Sequence, residues 1–236
     1  QIILNNWYYE ADSRFTNSGG DVDQPTYRKY ELNPYMEYGI ADGITLGSNL
    51  SLQRTSQSSS TNWGLGDSEF FARFRLFEQH GWAIAAEPMG KLPSPEASRD
   101  ELPVIGGDAS DVGMTLAAGY GFEAYGKQHF ITADAGYRHR LGTPEDQMRY
   151  SLTAGFSMAP KWQLMPQLFV TQRMSSPAVA TFTQSTGDDY NLVKLQVSAV
   201  YHYNDEWALQ AGGFSHVDGK NSGAGEGVLF AIWKSF

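Results

Sequence analysis

EGVLFAIWKSF, residues Glu226 to Phe236, alternates: Val228, Phe230 and Ile232 fall on one face, and the last residue is aromatic. Lys234 interrupts the apolar set. A side-chain period of two is the mark of a strand with one dry face. One such strand decides little, because many chains end in Phe. Its repetition along the rest of the chain decides the fold.

Read back from this stretch, the pattern covers the chain. From Ile2 to Phe15, Ile3, Trp7, Tyr9 and Ala11 share one face, opposite Asn6, Tyr8, Glu10, Asp12 and Arg14. Tyr27 to Ile40 sets Tyr30, Leu32, Pro34, Met36 and Tyr38 against Lys29, Glu31, Asn33, Tyr35 and Glu37, and Asp42-Gly43 then makes a tight turn. Further segments follow at Ile44 to Arg54, Asp67 to Phe77, Trp82 to Lys91, Val112 to Glu123, His129 to Leu141, Met148 to Met158, Trp162 to Arg173, Leu192 to Tyr203 and Trp207 to His216. Long polar connections (Thr16 to Thr26, Thr55 to Gly66, Leu92 to Asp111, Met174 to Asp189 and a Gly-rich stretch before Glu226) alternate with short turns. No domain boundary and no helix interrupt the series, so residues 1–236 read as a single domain.

Composition narrows the class. The 236 residues are 41% hydrophobic and 14% aromatic, with 25 glycines and no cysteine. No apolar run is long enough for a spanning helix. The net charge of −9 argues against a basic surface for nucleic acid. No charged-then-apolar leader stands at Gln1, so a mature chain with its signal peptide removed is expected. The apolar face is nearly uncharged on every segment, with Lys234, His129 and His139 as exceptions, whereas the opposite face carries charge on most. That is too much apolar surface for a small core, and lipid would cover it once the sheet closed on itself. The expected fold is an all-β transmembrane antiparallel barrel of about twelve strands, with long extracellular loops and short periplasmic turns. Tyr38, Trp82, Phe122, Phe156, Trp162, Tyr201, Tyr203, Trp207 and Phe236 gather by the short turns, where an interfacial girdle belongs. An amphipathic last strand stopping at an aromatic resembles the closing strand of bacterial outer-membrane barrels, a signal for insertion there. Lys234 departs from that pattern.

Two stretches, YRKYELNPYMEYGIADGITLG (Tyr27 to Gly47) and GLGDSEFFARFRL (Gly64 to Leu76), resemble an outer-membrane channel family associated with the meta-pathway of phenol degradation. WYYEADSRF (Trp7 to Phe15) is similar to that family's first strand. The resemblance covers roughly the first third of the chain. It implies a monomeric twelve-stranded channel for small molecules, with neither a catalytic motif nor a cofactor to carry over.

A barrel of about twelve strands lies between those filled by side chains and those with wide pores. On the alternation above, its lining comprises Glu10, Lys29, Glu31, Glu37, Glu69, Arg73, Arg75, Glu87, Lys91, Asp134, Arg138, Arg140, Arg149, Lys194 and His216. Registers that keep inner face with inner face set Arg73 beside Glu87 and Glu69 beside Lys91. The same rule sets Arg140 opposite Arg149 near the outer mouth, with Arg138 close by. Those cations need compensation, from Glu145 and Asp146 folding inward or from a passing anion. Leu92 to Asp111, with the apolar residues Leu102, Val104 and Ile105, is the constriction candidate. The reading is a passive channel for small polar or anionic solutes, aromatic acids among them, meeting lipid and lipopolysaccharide on its outside. Its rivals are a channel for hydrophobic aromatics and an outer-membrane lipid or peptide hydrolase. The hydrolase needs a His beside a Ser, and the outward His129 and His139 have no outward Ser on their flanking segments. Scattered inner carboxylates make no metal site.

Overall fold

The computed structural model describes residues 1–95, 102–142, 144–174 and 189–236. Parts of two long connections, 96–101 and 175–188, lie outside the described residues, as does Thr143 of the Gly142 to Gln147 turn. The described strands are β1 (Ile2–Phe15), β2 (Asp21–Ala41), β3 (Ile44–Asn49), β4 (Leu52–Gln57), β5 (Ser60–Leu65), β6 (Ser68–Gln79), β7 (Trp82–Leu92), β8 (Ser110–Ala124), β9 (Lys127–Leu141), β10 (Gln147–Ala159), β11 (Trp162–Arg173), β12 (Asn191–His202), β13 (Trp207–Lys220) and β14 (Ser222–Lys234). β3 and β4 pair with β2 in one register and are halves of a single wall strand; β5 and β6 are likewise two halves of the next. The fourteen segments therefore build twelve wall strands, all antiparallel to their neighbours. β1 pairs with both β2 and β14, so the sheet closes and no edge remains at the seam between first and last strands.

Large apolar side chains are exposed right round the outside: Met36, Leu46, Phe70, Phe74, Met114, Leu116, Ile131, Leu152, Leu164, Leu195, Val197, Leu209, Val228 and Phe230 among them. One rim carries touching aromatic rings. Trp82 packs on Tyr120 (4.8 Å between centroids), Tyr120 on Phe122 (5.9 Å), Phe122 on His129 (5.4 Å) and His129 on Phe156 (6.0 Å). Lys234, the flaw in the last strand, ion-pairs with Glu206 at this rim and lies over the Trp207 ring.

Three departures from the sequence reading concern which segments are strands and which way they face. Thr55 to Gly66 is a β-hairpin, β4 and β5, that continues the wall. The Gly-rich stretch before Glu226 is a turn at Asn221 (φ 52°) between two long strands. β1 faces the other way: Trp7 and Tyr9 line the interior and Ala11 is buried, while Glu10 is on the outside, bonded to Arg28 (2.6 Å) and Tyr8 (2.5 Å). β1 has aromatics on both faces, so its own alternation is ambiguous, and its partner settles it. Gly223, Gly225 and Gly227 form the inner side of β14, where a Cβ would collide with the Tyr9 hydroxyl, with Ala11 or with the Phe214 ring. The bare backbone gives those rings their place.

An ionic side chain on the outer face near mid-strand has no partner in hydrocarbon. Leu152→Arg, near the middle of β10, should lower folding stability in lipid vesicles by about 2–4 kcal/mol, read by denaturant titration of heat-modifiable mobility.

Candidate functional site

The barrel encloses a cavity of about 1170 Å³. Its walls differ. β7, β8 and β9 contribute small side chains (Ala83, Ala85, Ala117, Gly119 and Thr132), and β1, β11 and β13 contribute the rings of Trp7, Tyr9, Phe169 and Phe214. Of the residues expected in the lining, Lys29, Glu31, Arg73, Glu87, Asp134, Arg149, Lys194 and His216 face this cavity.

Those charges are grouped. Toward the aromatic rim, Arg73 bridges Glu37 (2.6 Å) and Glu87 (2.9 Å) and lies within 3.5 Å of the Tyr35 hydroxyl. Arg73 and Glu87 are direct cross-strand neighbours, as the register argument expects. Arg75 lies lower still, on Asp42 and Glu78 of the short turns, and is largely outside the cavity. On β2, Lys29 pairs with Glu31 (2.8 Å), which also accepts the Ser51 hydroxyl (2.7 Å).

The opposite end holds a larger network. Glu69 does sit opposite Lys91 in the β6–β7 register, yet their side chains part. Lys91 binds Asp67 (3.1 Å) and Asp111 (3.6 Å). Glu69 reaches across to take both terminal nitrogens of Arg138, with Arg149 4.0 Å away. The cause is a one-residue shift of register between β5 and β6, which brings Asp67 to the inner side.

Asp67 also holds the long connection. Its Oδ1 accepts the backbone N–H of Ser94 (3.0 Å) and of Gly107 (2.9 Å), one from each limb of the excursion. Farther along, the Pro103 carbonyl accepts from Thr55 (3.3 Å) and Asn62 (3.0 Å), residues on the inner face of β4 and β5. Ile105 is buried, Val104 half-buried and Leu102 exposed. The described part of the connection is thus laid against the interior wall.

Arg140 is not opposite Arg149. The β9–β10 ladder pairs Gln147 with Arg138 and Arg149 with Gly136, so the two arginines are offset along the wall. Asp146 sets this register from outside the barrel: it accepts the Tyr137 hydroxyl, the Arg140 backbone N–H (2.9 Å) and the His139 ring (3.0 Å). Compensation for Arg140 comes from Asp111 and Asp189, each 3.6 Å away, and not from Glu145 or Asp146 folding inward. Sequence reasoning missed Asp67 and Asp111 as organising acids, and it missed the inner crescent of rings. The period-two glycines of β14 were the available sign of the crescent; a register shift leaves none.

No protein-family profile matches the chain, and no curated protein matches it. Among solved structures, the barrel is similar to the COG4313 outer membrane channel from Pseudomonas putida F1, with a TM-score of 0.70 at 18% identity over 100% of this chain and 95% of that one. At such identity the likeness establishes the fold. It is also similar to the NanC porin (TM-score 0.59, 8% identity, all of both chains) and the KdgM porin (0.57, 8%, 99% of each).

Arg138 is nearly buried and takes both oxygens of Glu69, so removing it leaves that carboxylate with only Arg149, 4.0 Å away. Arg138→Ala should cost about 3–5 kcal/mol of unfolding free energy, measured in urea with vesicle-embedded protein. The Tyr137 hydroxyl, the Arg140 N–H and His139 hold Asp146 down at about 2. Its folded value is below the ordinary one of about 3.9, so its stabilisation is complete above that value and is lost as pH falls through about 2. Hydrogen exchange of the Arg140 amide should stay slow at neutral pH in the parent and become fast in Asp146→Ala, which removes the accepting oxygen. The parent should approach the variant only in strong acid.

Proposed function

We propose that the chain is a passive outer-membrane channel, working as a monomer, for small polar or anionic solutes. The observation that carries this reading is the inversion of the barrel: apolar side chains look outward all round, and ion pairs around a cavity of about 1170 Å³ lie inside. Lipid covers the first and water the second. Flow follows the solute gradient, since nothing in this arrangement supplies energy.

The resemblance of the amino-terminal third links the channel to aromatic-degradation substrates. Within that group the paired charges of the wall favour polar and ionised members over bare hydrocarbons, whose entry would leave those charges without water. A hydrolase draws less support. Among the described residues, the hydrogen bonds of His129 go to the Ala124 carbonyl and the Ser157 backbone, those of His139 to Asp146, and that of His216 to the Gly223 carbonyl, none to a serine hydroxyl. On the outside, the apolar belt contacts lipid, and the polar ends of the strands above it meet lipopolysaccharide.

Liposomes containing the purified chain should swell in isosmotic solutions of small sugars or organic acids and show no hydrolysis of ester or peptide reporters. Absence of swelling with every small solute would overturn the channel. Excising residues 94–107 should raise single-channel conductance, because it removes Pro103 to Gly107, which are held against the inner wall.

A further inference from the structure

Most inward cations have a carboxylate at hand: Lys29 has Glu31, Arg73 has Glu37 and Glu87, Lys91 has Asp67, and Arg138 has Glu69. Lys194 is different. It faces the cavity from β12, and among the described residues no carboxylate lies within ion-pair distance of it. Glu31 shares the space, but its oxygens are bonded to Lys29 and Ser51. What surrounds the Lys194 ammonium is aromatic. It lies 4.3 Å from the centroid of Phe169, 4.9 Å from that of Trp7 and 5.4 Å from that of Phe214. Ring faces attract a cation through their quadrupoles and leave its N–H groups without an acceptor.

A second observation points to the same place. Tyr9 is more than nine-tenths buried and lines the cavity, and its hydroxyl has no hydrogen-bond partner. Its ring is stacked on Phe214 (6.1 Å) and lies 4.7 Å from the ring of His216, the residue paired with Lys194 across β12 and β13. His216 gives its Nδ1 proton to the Gly223 carbonyl (2.9 Å), so Nε2 remains as an acceptor. A lone ammonium, an unmet hydroxyl and flat apolar faces thus share one wall of the lumen. The pieces are complementary to a single negative charge carried on an apolar body.

We propose that Lys194, with Tyr9 and the rings of Trp7, Phe169 and Phe214, forms a binding step inside the lumen for organic monocarboxylates. The carboxylate is held by the ammonium and the phenol, and the apolar part lies against the rings. A monoanion is specified because, of the described lysines and arginines lining the cavity, Lys194 is the one with no carboxylate within 4.0 Å, the neighbouring Lys29 being held by Glu31. An organic anion is specified over chloride because the ammonium is hemmed by ring faces that reward contact with carbon and give a small hydrated ion nothing in exchange for its water. This step rests on the channel reading above for its physiological use, though its chemistry can be read separately.

Calorimetry on the detergent-purified chain, with benzoate, cyclohexanecarboxylate, acetate and chloride as probes, tests it. The two ring-bearing carboxylates should bind, acetate more weakly and chloride not measurably. Lys194→Met should weaken benzoate at least about tenfold, the size of one lost charge-assisted hydrogen bond, and Lys194→Arg should retain it. Heat-modifiable mobility identifies a variant that has failed to fold; in that case Tyr9→Phe, which keeps the ring, should also weaken benzoate. Equal benzoate affinity in the parent and in a folded Lys194→Met, chloride binding as tight as benzoate, or no carboxylate binding at all would overturn the proposal. Swelling of liposomes in arabinose reads the channel independently. Swelling without benzoate binding removes the subsite alone, and binding without swelling removes the channel alone.

Discussion

The structure depends on one obligation, that no backbone N–H or C=O may be left unpaired where hydrocarbon begins. β1 discharges it by taking β14 on one side and β2 on the other. A sheet closed in this way has an inside and an outside, and side-chain alternation assigns every residue to one or the other. Apolar residues look out because only they can be left against lipid. Charges look in because the interior is where water and counter-charge are found.

The interior then has to neutralise itself. Opposite charges lie across neighbouring strands, as Arg73 and Glu87 do, or reach over the lumen, as Glu69 and Arg138 do. Aromatic rings share this space because glycines make room for them. Gly47 lies under Phe71 and Gly155 under Phe130, much as Gly227 lies under Phe214. Within the cavity lining, rings project from β1, β11 and β13, while alanine and glycine keep β7 and β8 low.

The number of wall strands, their boundaries near the short turns, and the inner position of most charged residues were legible from period-two alternation. That signal works where one face is purely apolar. It failed on β1, where Trp7 and Tyr9 oppose Tyr8 and hydrophobicity alone cannot say which set meets lipid. It failed again between β9 and β10, because the register was carried inward from the loop ends and Asp146 sets it from outside. Thr55 to Gly66 was read as loop because its serines and threonines carry no dry face. A hairpin whose inner polar side chains bond the chain laid over them needs none. Side-chain partnership was the least legible layer: Lys91 and Glu69 are neighbours in register, and each binds elsewhere because a shifted residue put Asp67 nearer.

The register shift before β6 has an architectural consequence. One carboxylate grips the excursion at both its departure and its return, at Ser94 and Gly107. Pro103, held by Thr55 and Asn62, adds a third point of attachment on the returning limb. The hoop of hydrogen bonds that closes the barrel thus doubles as a mount for chain carried inside it.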